Sequence, residues 1–529
     1  MNYAETAVET AALNGMAVAV HAACKPSEIA VVDRFGGYDW AYLNRRCNQL
    51  ANYMRGLGLG VNDSVALLCS NRVEFIEVIM AAFRSGISVT PINWHLTGEE
   101  IGYIVDNCDA KIFFAEGSMA RKAEEAVKMS PQLQHCLAIG RDNDSESSSQ
   151  IDGFKSYEDA LGAQDDQNIS APIHGGTMLY TSGTTGKPKG VYREECPPTM
   201  PNYTETGYSQ GDEVGLCTGP AYHAAPLLID VLVPIVSGAA VVFMDKWDPE
   251  ETLRLIDERK VTNCHMVATM FHRMLQLPEE TKARYDISSM RLIIHGAAPC
   301  PVHVKHAMIE WFGPVLVEYY AATEGGGGFL IGSEEWLTKP GSVGKPGPEF
   351  DNKIVDDNGD EVKSGETGTI YMHAPDEGRF IYYKDKDKTA SSYSGDYFTL
   401  GDMGYFDEDG YLFLTGRSAE LIISAGVNIY PQEVDSEVMQ HPAIHDVCTI
   451  GVPSEEWGEE VKSVVQLNAG FDASGDLSQE LIDFARTRLP AFKCPRTIDF
   501  VDDLPRLPTG KILRRTVREP YWAGRDKSI

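Results

Sequence analysis

The segment Leu179-Tyr-Thr-Ser-Gly-Thr-Thr-Gly-Lys-Pro-Lys-Gly-Val191 carries the densest chemistry in the chain. Its glycines, Gly183, Gly186 and Gly190, let the backbone approach a ligand closely. Thr181, Ser182, Thr184 and Thr185 offer hydroxyls while Lys187 and Lys189 offer positive charge, a combination suited to a polyphosphate. A Walker A loop is disfavoured: Gly186-Lys187 is followed by Pro188 instead of Ser or Thr, and no glycine lies five residues before Gly186. A flexible Gly/Ser/Thr linker explains the small residues but not two lysines and a proline at fixed places.

Upstream, Trp40, Leu43, Cys47, Leu50, Met54 and Leu57 recur at helical spacing, and the apolar run Val65 to Cys69 follows as a strand. A second helix is expected from Glu74 to Arg84, ending at Gly86. The run Ile87 to Ile92 comes next, and Thr97-Gly-Glu-Glu100 opens a third helix as a capping box before a strand at Lys111 to Ala115. Alternation of this kind predicts crossover units, a parallel sheet and an α/β fold. After about residue 418 the elements shorten. A helix near Glu433 to Gln440, strands near Val447 to Val452 and Glu460 to Leu467, and a helix near Gln479 to Leu489 suggest a small α+β domain.

At 529 residues the chain exceeds what one core usually supports. Hydrophobic residues at 43% and charged residues at 23% are ordinary globular usage. With 77 acidic and 46 basic residues the net charge is −31, which repels nucleic acid and anionic lipid, so no nucleic-acid partner is expected. The 11 cysteines form no Cys-x-x-Cys pair and read as reduced thiols. The N-terminus has no Lys or Arg before Lys25, which opposes a secretory or transit signal, and a cytoplasmic enzyme is expected. Ala224 to Met244 is mostly apolar, but Asp230, Pro234 and Ser237-Gly238 divide it into a helix-like and a strand-like half, so core and not a membrane span is predicted. Arg141 to Gln150 reads as a solvated loop. A homo-oligomer is left open.

The 179–191 segment resembles the signature of the adenylate-forming superfamily of acyl- and aryl-CoA synthetases, luciferases and peptide-synthetase adenylation domains. The resemblance continues in order through Tyr320-Ala-Ala-Thr-Glu324, Phe398-Thr-Leu-Gly-Asp-Met-Gly-Tyr405, Gly416-Arg417, Gly426-Val-Asn-Ile-Tyr-Pro-Gln-Glu433 and Leu507-Pro-Thr-Gly-Lys511. It implies a large N-terminal α/β domain with parallel-rich sheets, residues 1–418, and a small mobile α+β domain, residues 419–529, carrying the catalytic Lys511. The implied reaction joins a carboxylic acid to coenzyme A with ATP and Mg2+. A carboxylate oxygen will not leave unaided, so the acid is first converted to a mixed anhydride with AMP, and fixed positive charge must meet the α-phosphate.

By the same resemblance Tyr320 stacks on adenine beside Gly296, Ala297 and Ala298, and Glu318 and Tyr319 belong to the nucleotide set. Thr181, Ser182, Gly183, Thr184, Thr185, Gly186, Lys189 and Thr323 meet phosphates, with Thr181 and Lys189 also in the catalytic set. Glu324 and Thr181 hold magnesium. Asp402 takes the ribose hydroxyls, Arg417 touches the nucleotide, and His223 lines the carboxylate site. The small domain is implied to swing about a hinge just after Gly416-Arg417, so that Ser424 to Gly426 then lines a pantetheine channel.

Departures are Ala419 for a hinge Asp or Lys, Ala321 for Gly, and Tyr192-Arg-Glu-Glu-Cys196 where Thr-His is usual. The branch resembled acts on fatty and steroid side-chain acids. An aryl acid, a carrier-protein acceptor, a monooxygenase side activity, or a nucleotide-binding protein without catalysis remain alternatives. Ala224, Ala225 and Gly325 to Gly328 are expected to leave room for a bulky acyl group. His303-x-x-His306 and His441-x-x-x-His445 read as solvated, and Arg506, Lys511, Arg514 and Arg515 as a basic patch facing ATP or CoA phosphates.

Overall fold

The computed structural model describes residues 3–140, 150–181, 188–194, 196–204, 207–348, 350–374, 379–424, 427–454, 457–507 and 510–523. The expectations for Ser182 to Lys187, for residues 141–149, for Gly426 and for Pro508-Thr509 lie outside them.

The upstream periodicity becomes helices Trp40–Gly56, Val73–Phe83 and Gly98–Asn107 between strands Ser64–Leu68, Ser88–Pro91 and Ala110–Glu116. Trp40, Leu43, Cys47, Leu50 and Met54 are fully buried, the stripe that the helical spacing placed on one face. Asp39 caps the first helix by accepting from the Tyr42 amide at 2.7 Å. Thr97 and Glu100 form the reciprocal capping box of the third. The strands belong to a six-stranded sheet, parallel throughout, in the order Lys155–Ser156, His135–Ile139, Ala110–Glu116, Ser64–Leu68, Ser88–Pro91, Gly176–Thr177. Helices cover such a sheet on both faces, which is why Ser64–Leu68 is buried at every residue.

A second sheet has eight strands, with Ile29–Asp33, Ala240–Phe243, Val214–Cys217, Asn263–Met266, Leu292–His295 and Leu316–Ala322 running parallel and an antiparallel strand at each edge. Its Leu316–Ala322 strand turns at Thr323-Glu324 into the edge strand Gly325–Gly332. Ala224 to Met244 divides as expected into a helical half, Pro226 to Ser237, opened by a wide π-type turn, and the strand Ala240–Phe243. Asp230 is buried there, accepts from the His265 amide at 2.8 Å, and is pushed well above the usual carboxylate range by burial. No described helix is long and apolar enough to cross a membrane.

Two antiparallel sheets complete the large N-terminal part. One pairs Leu179–Thr181, Lys189–Tyr192 and Ile381–Tyr382; the other includes Gly368–His373, Asp402–Phe406 and Leu412–Arg417. The small C-terminal part wraps helices Pro431–Val438, Gly475–Arg486 and Arg514–Trp522 about a five-stranded sheet. Among the described residues, no hydrophobic cluster draws on both sides of the stretch between Leu414 and Ile422.

The cysteines are free thiols. His303 and His306 are exposed as expected, but His441 is not: it is 8% exposed, lies 5.0 Å from the Phe484 ring and accepts from the Ala443 amide at 3.2 Å. Pro442 turns the chain there, and the imidazole folds inward to satisfy the turn.

Candidate active site

Three residues from distant motifs meet at one point. Tyr320 donates its phenol to Asp402 Oδ2 at 2.9 Å, and Arg417 Nε donates to Asp402 Oδ1 at 2.8 Å. Asp402 and Arg417 oppose each other directly on neighbouring antiparallel strands, so the register sets their pairing. Burial, then the Asp402 charge, raises the Tyr320 phenol above its ordinary value. Burial alone would lower the Arg417 guanidinium, but the charge and hydrogen bond of Asp402, with Glu420 and Tyr320 adding to them, together leave it raised.

A second cluster forms around Glu324. Thr181 and Lys189 are partners in an antiparallel pair, the two ends of the phosphate segment. Lys189 stands over the Tyr382 ring at 5.6 Å, and Tyr382 donates to Glu324 Oε1 at 2.8 Å. Burial, then Lys388, lowers the Lys189 ammonium. Arg193 donates to the carbonyl oxygens of Glu324 at 2.6 Å and Thr323 at 3.4 Å. Among the described residues, no group of three His, Cys, Asp or Glu gathers as a metal cage. A single carboxylate with one oxygen spoken for and one left over suits a cation that arrives on phosphates and needs only oxygen ligands, as magnesium does.

Other expected residues sit apart from these clusters. Glu318 is buried and accepts from the fully buried Lys305 at 2.6 Å. The Tyr319 hydroxyl lies 3.2 Å from His265 Nε2. A Cβ at Gly296 would come within 2.6 Å of the Tyr319 ring, so only glycine lets these segments approach. Ala297 takes φ +63°, a left-handed conformation costly for alanine, and such strain collects where a backbone is shaped for a ligand. His223 lies 4.4 Å from the Tyr222 ring, tilted by 50°, with Nε2 unpartnered among the described residues; burial, helped by His95, lowers it to about 4, so the ring is neutral at pH 7. Two of the glycines expected to leave acyl space do not: the place of a Gly326 side chain is taken by the Ala321 methyl at 2.7 Å, and that of Gly328 by the Phe350 ring at 2.4 Å. The methyl departure at Ala321 is thus absorbed by glycine across the hairpin.

Lys511 closes the site from the small domain. Its turn is drawn tight by Gly510 N–H to Leu507 O and Leu507 N–H to Lys511 O, both 2.8 Å. Gly510 has φ +83°, and a Cβ there would fall 2.4 Å from Thr269 Oγ1 of the large domain. Burial, then the nearby Arg417, lowers the Lys511 ammonium, while Glu420 and Asp402 oppose the shift. The lysine therefore shares the field of the Asp402–Arg417 pair. It lines a cavity of about 860 Å³ between the two parts, together with Trp94, Thr269, Ala298 and Glu420. His272 Nε2 to His445 O at 3.0 Å and Gln276 to Asn468 at 3.3 Å tie the parts together beside it.

The expected basic patch divides. Arg514 is committed to Asp435 at 2.8 Å and Glu420 at 3.1 Å, Arg515 to Glu519 at 3.0 Å, and Arg506 to Asp446. Of the four, Lys511 alone has no ion pair among the described residues. Tyr382, Arg193 and Thr269 were not singled out by the sequence reading. A signal existed for Arg193 alone, since it stands where the usual Thr-His pair is missing.

A paired carboxylate and arginine, a half-buried lysine carried on the C-terminal part, and a Gly/Thr/Lys segment define the class of adenylate-forming enzymes. The AMP-binding enzyme family matches residues 18–379, and the AMP-binding enzyme C-terminal domain matches residues 433–511. The long-chain-fatty-acid–CoA ligase FadD13 of Mycobacterium tuberculosis is 30% identical over 92% of this chain and 93% of its own. Feruloyl-CoA synthase of an Amycolatopsis species is 30% identical over 93% and 96%. The fatty acid–[acyl-carrier-protein] ligase ScoC of Streptomyces coeruleorubidus is 28% identical over 96% of each. Among solved structures, ATP-bound MatB from Rhodopseudomonas palustris superposes with TM-score 0.78 at 27% identity, covering 96% of this chain and 99% of that one. The chain belongs to the AMP-binding enzyme family.

Proposed function

We propose that the protein is an ATP-dependent carboxylic acid–CoA ligase working through an acyl-AMP intermediate, with residues 1–418 binding ATP and acid and residues 419–529 forming a small domain that alternates between half-reactions. The observation that carries this reading is Lys511, half-buried at the edge of the cavity between the two parts and within the field of the Asp402–Arg417 pair. In that place an ammonium can bridge the acid's carboxylate and the α-phosphate as negative charge builds there. Asp402 receives the ribose hydroxyls, Tyr320 flanks adenine, Thr181 and Lys189 meet phosphates, and the neutral His223 lies toward the acid. Magnesium, held by Glu324 with Thr181 nearby, supplies positive charge to the phosphates when bound. For the acid we favour a medium- or long-chain fatty acid or a bulky aryl acid, supported by similarity to FadD13 and to feruloyl-CoA synthase. Free CoA as acceptor is supported by the same two relatives, and the carrier-protein alternative by ScoC.

The test is pyrophosphate release across acids from acetate to long-chain, aryl and steroid acids, with and without CoA. Acid-dependent release with an acyl-CoA product supports the ligase. Adenylate without thioester transfers the reading to a carrier protein, and no release with any acid overturns it.

A further inference from the structure

Arg193 lies one residue past the strand Lys189–Tyr192, which continues the phosphate segment, and its guanidinium reaches across to the two-residue turn Thr323-Glu324. The turn joins paired strands at Ala322 and Gly325, so its own carbonyls take no part in the ladder. Arg193 supplies donors to both of them, and a Cβ at Gly325 would stand 3.8 Å from its Nη2. On the other side of the same strand Val191 pairs with Tyr382, whose phenol holds the Glu324 carboxylate. One strand thus governs Glu324 twice, through its backbone and through its side chain, while presenting Lys189 from its first residue.

We infer that Arg193 is a positioning residue for the metal end of the site: it fixes the Thr323-Glu324 turn so that Glu324 and Lys189 keep the spacing that a metal-bound triphosphate requires. The inference rests on the proposed ligase and deepens it. Both contacts come from the one Nη2, 2.6 Å from the Glu324 oxygen and 3.4 Å from the Thr323 oxygen, and the planar guanidinium holds that nitrogen in a fixed direction, which a flexible lysine ammonium does less well. Truncation would leave the Tyr382 bond intact and free the turn to shift.

The experiment is calorimetric binding of two probes to the full chain: the magnesium complex of α,β-methylene ATP, and AMP without metal. For Arg193→Ala the dissociation constant of the magnesium complex should rise about tenfold, the scale of losing charged hydrogen bonds, with that of AMP within about twofold. Arg193→Lys should fall between wild type and Arg193→Ala, and it covers the case in which the alanine variant fails to fold. Equal weakening of both probes, or no weakening of either in both variants, overturns the assignment. A wild-type protein that binds neither probe and releases no pyrophosphate overturns the ligase reading itself, an outcome separate from unaltered variants of an active wild type.

Discussion

Asp402 meets a donor on each oxygen, Tyr320 at 2.9 Å and Arg417 at 2.8 Å, whereas the Glu324 carboxylate meets only Tyr382, at 2.8 Å, among the described residues. The first arrangement locks the carboxylate before any ligand arrives and still leaves lone pairs for two hydroxyls. The second leaves one oxygen for a cation to claim, so its shell is completed by what binds. One end of the site is therefore built for recognising a fixed shape, the other for receiving charge. Lys511 reaches the preset end, where Asp402 and Arg417 already define the field it enters.

The largest expected effect comes from removing that lysine. Lys511→Ala should slow adenylation by about a thousandfold, roughly 4 kcal/mol of transition-state stabilisation, and leave transfer from preformed acyl-AMP to CoA within about threefold. Single-turnover assays of the two half-reactions check it, and equal loss in both would break the link between Lys511 and the Asp402 end. The ammonium is the working form. Because burial and Arg417 lower its pKa, adenylation should be full at neutral pH and be lost as pH rises through a value below the ordinary 10.5 of lysine.

Next come the carboxylates themselves, each about a hundredfold in kcat/KM. Asp402→Asn should raise the KM for ATP without altering the magnesium requirement, while Glu324→Gln should raise the magnesium concentration needed for half-maximal rate. Exchange of these two phenotypes would overturn the division between a preset end and a receiving end.

Much of the scaffold was legible because its signals are local. The Trp40 to Met54 stripe, the Thr97–Glu100 box and the breakers inside Ala224 to Met244 each act within a few residues, and the structure follows them. Motif order likewise pointed to Asp402, Arg417, Tyr320 and Lys511. The braces were not legible, because they depend on pairing between remote strands. Tyr382 reaches Glu324 only through its register with Val191, and Arg193 contacts a turn some 130 residues downstream. Neighbours in sequence can also part ways: Glu318 and Tyr319 adjoin Tyr320, yet one answers Lys305 and the other His265. Gly326 and Gly328 misled for the same reason, since Ala321 and Phe350 fill spaces that composition alone presents as empty.

The smallest effect sharpens the comparison most finely. Tyr320→Phe keeps the ring against Phe329, 5.6 Å away, and deletes only the phenol that holds Asp402 Oδ2. If the phenol presets the carboxylate, its loss should weaken ATP by about 0.5–1.5 kcal/mol, some two- to thirteenfold in Kd, with Arg417 still holding the other oxygen. If instead the phenol competes with the ribose hydroxyls for Asp402, its removal releases that oxygen and ATP should bind more tightly. The sign of the change, read by calorimetry with ATP and with its 2′,3′-dideoxy form, decides between them. A preset carboxylate predicts weaker ATP binding and an unaltered dideoxy form, because the dideoxy sugar has no hydroxyls to offer Asp402.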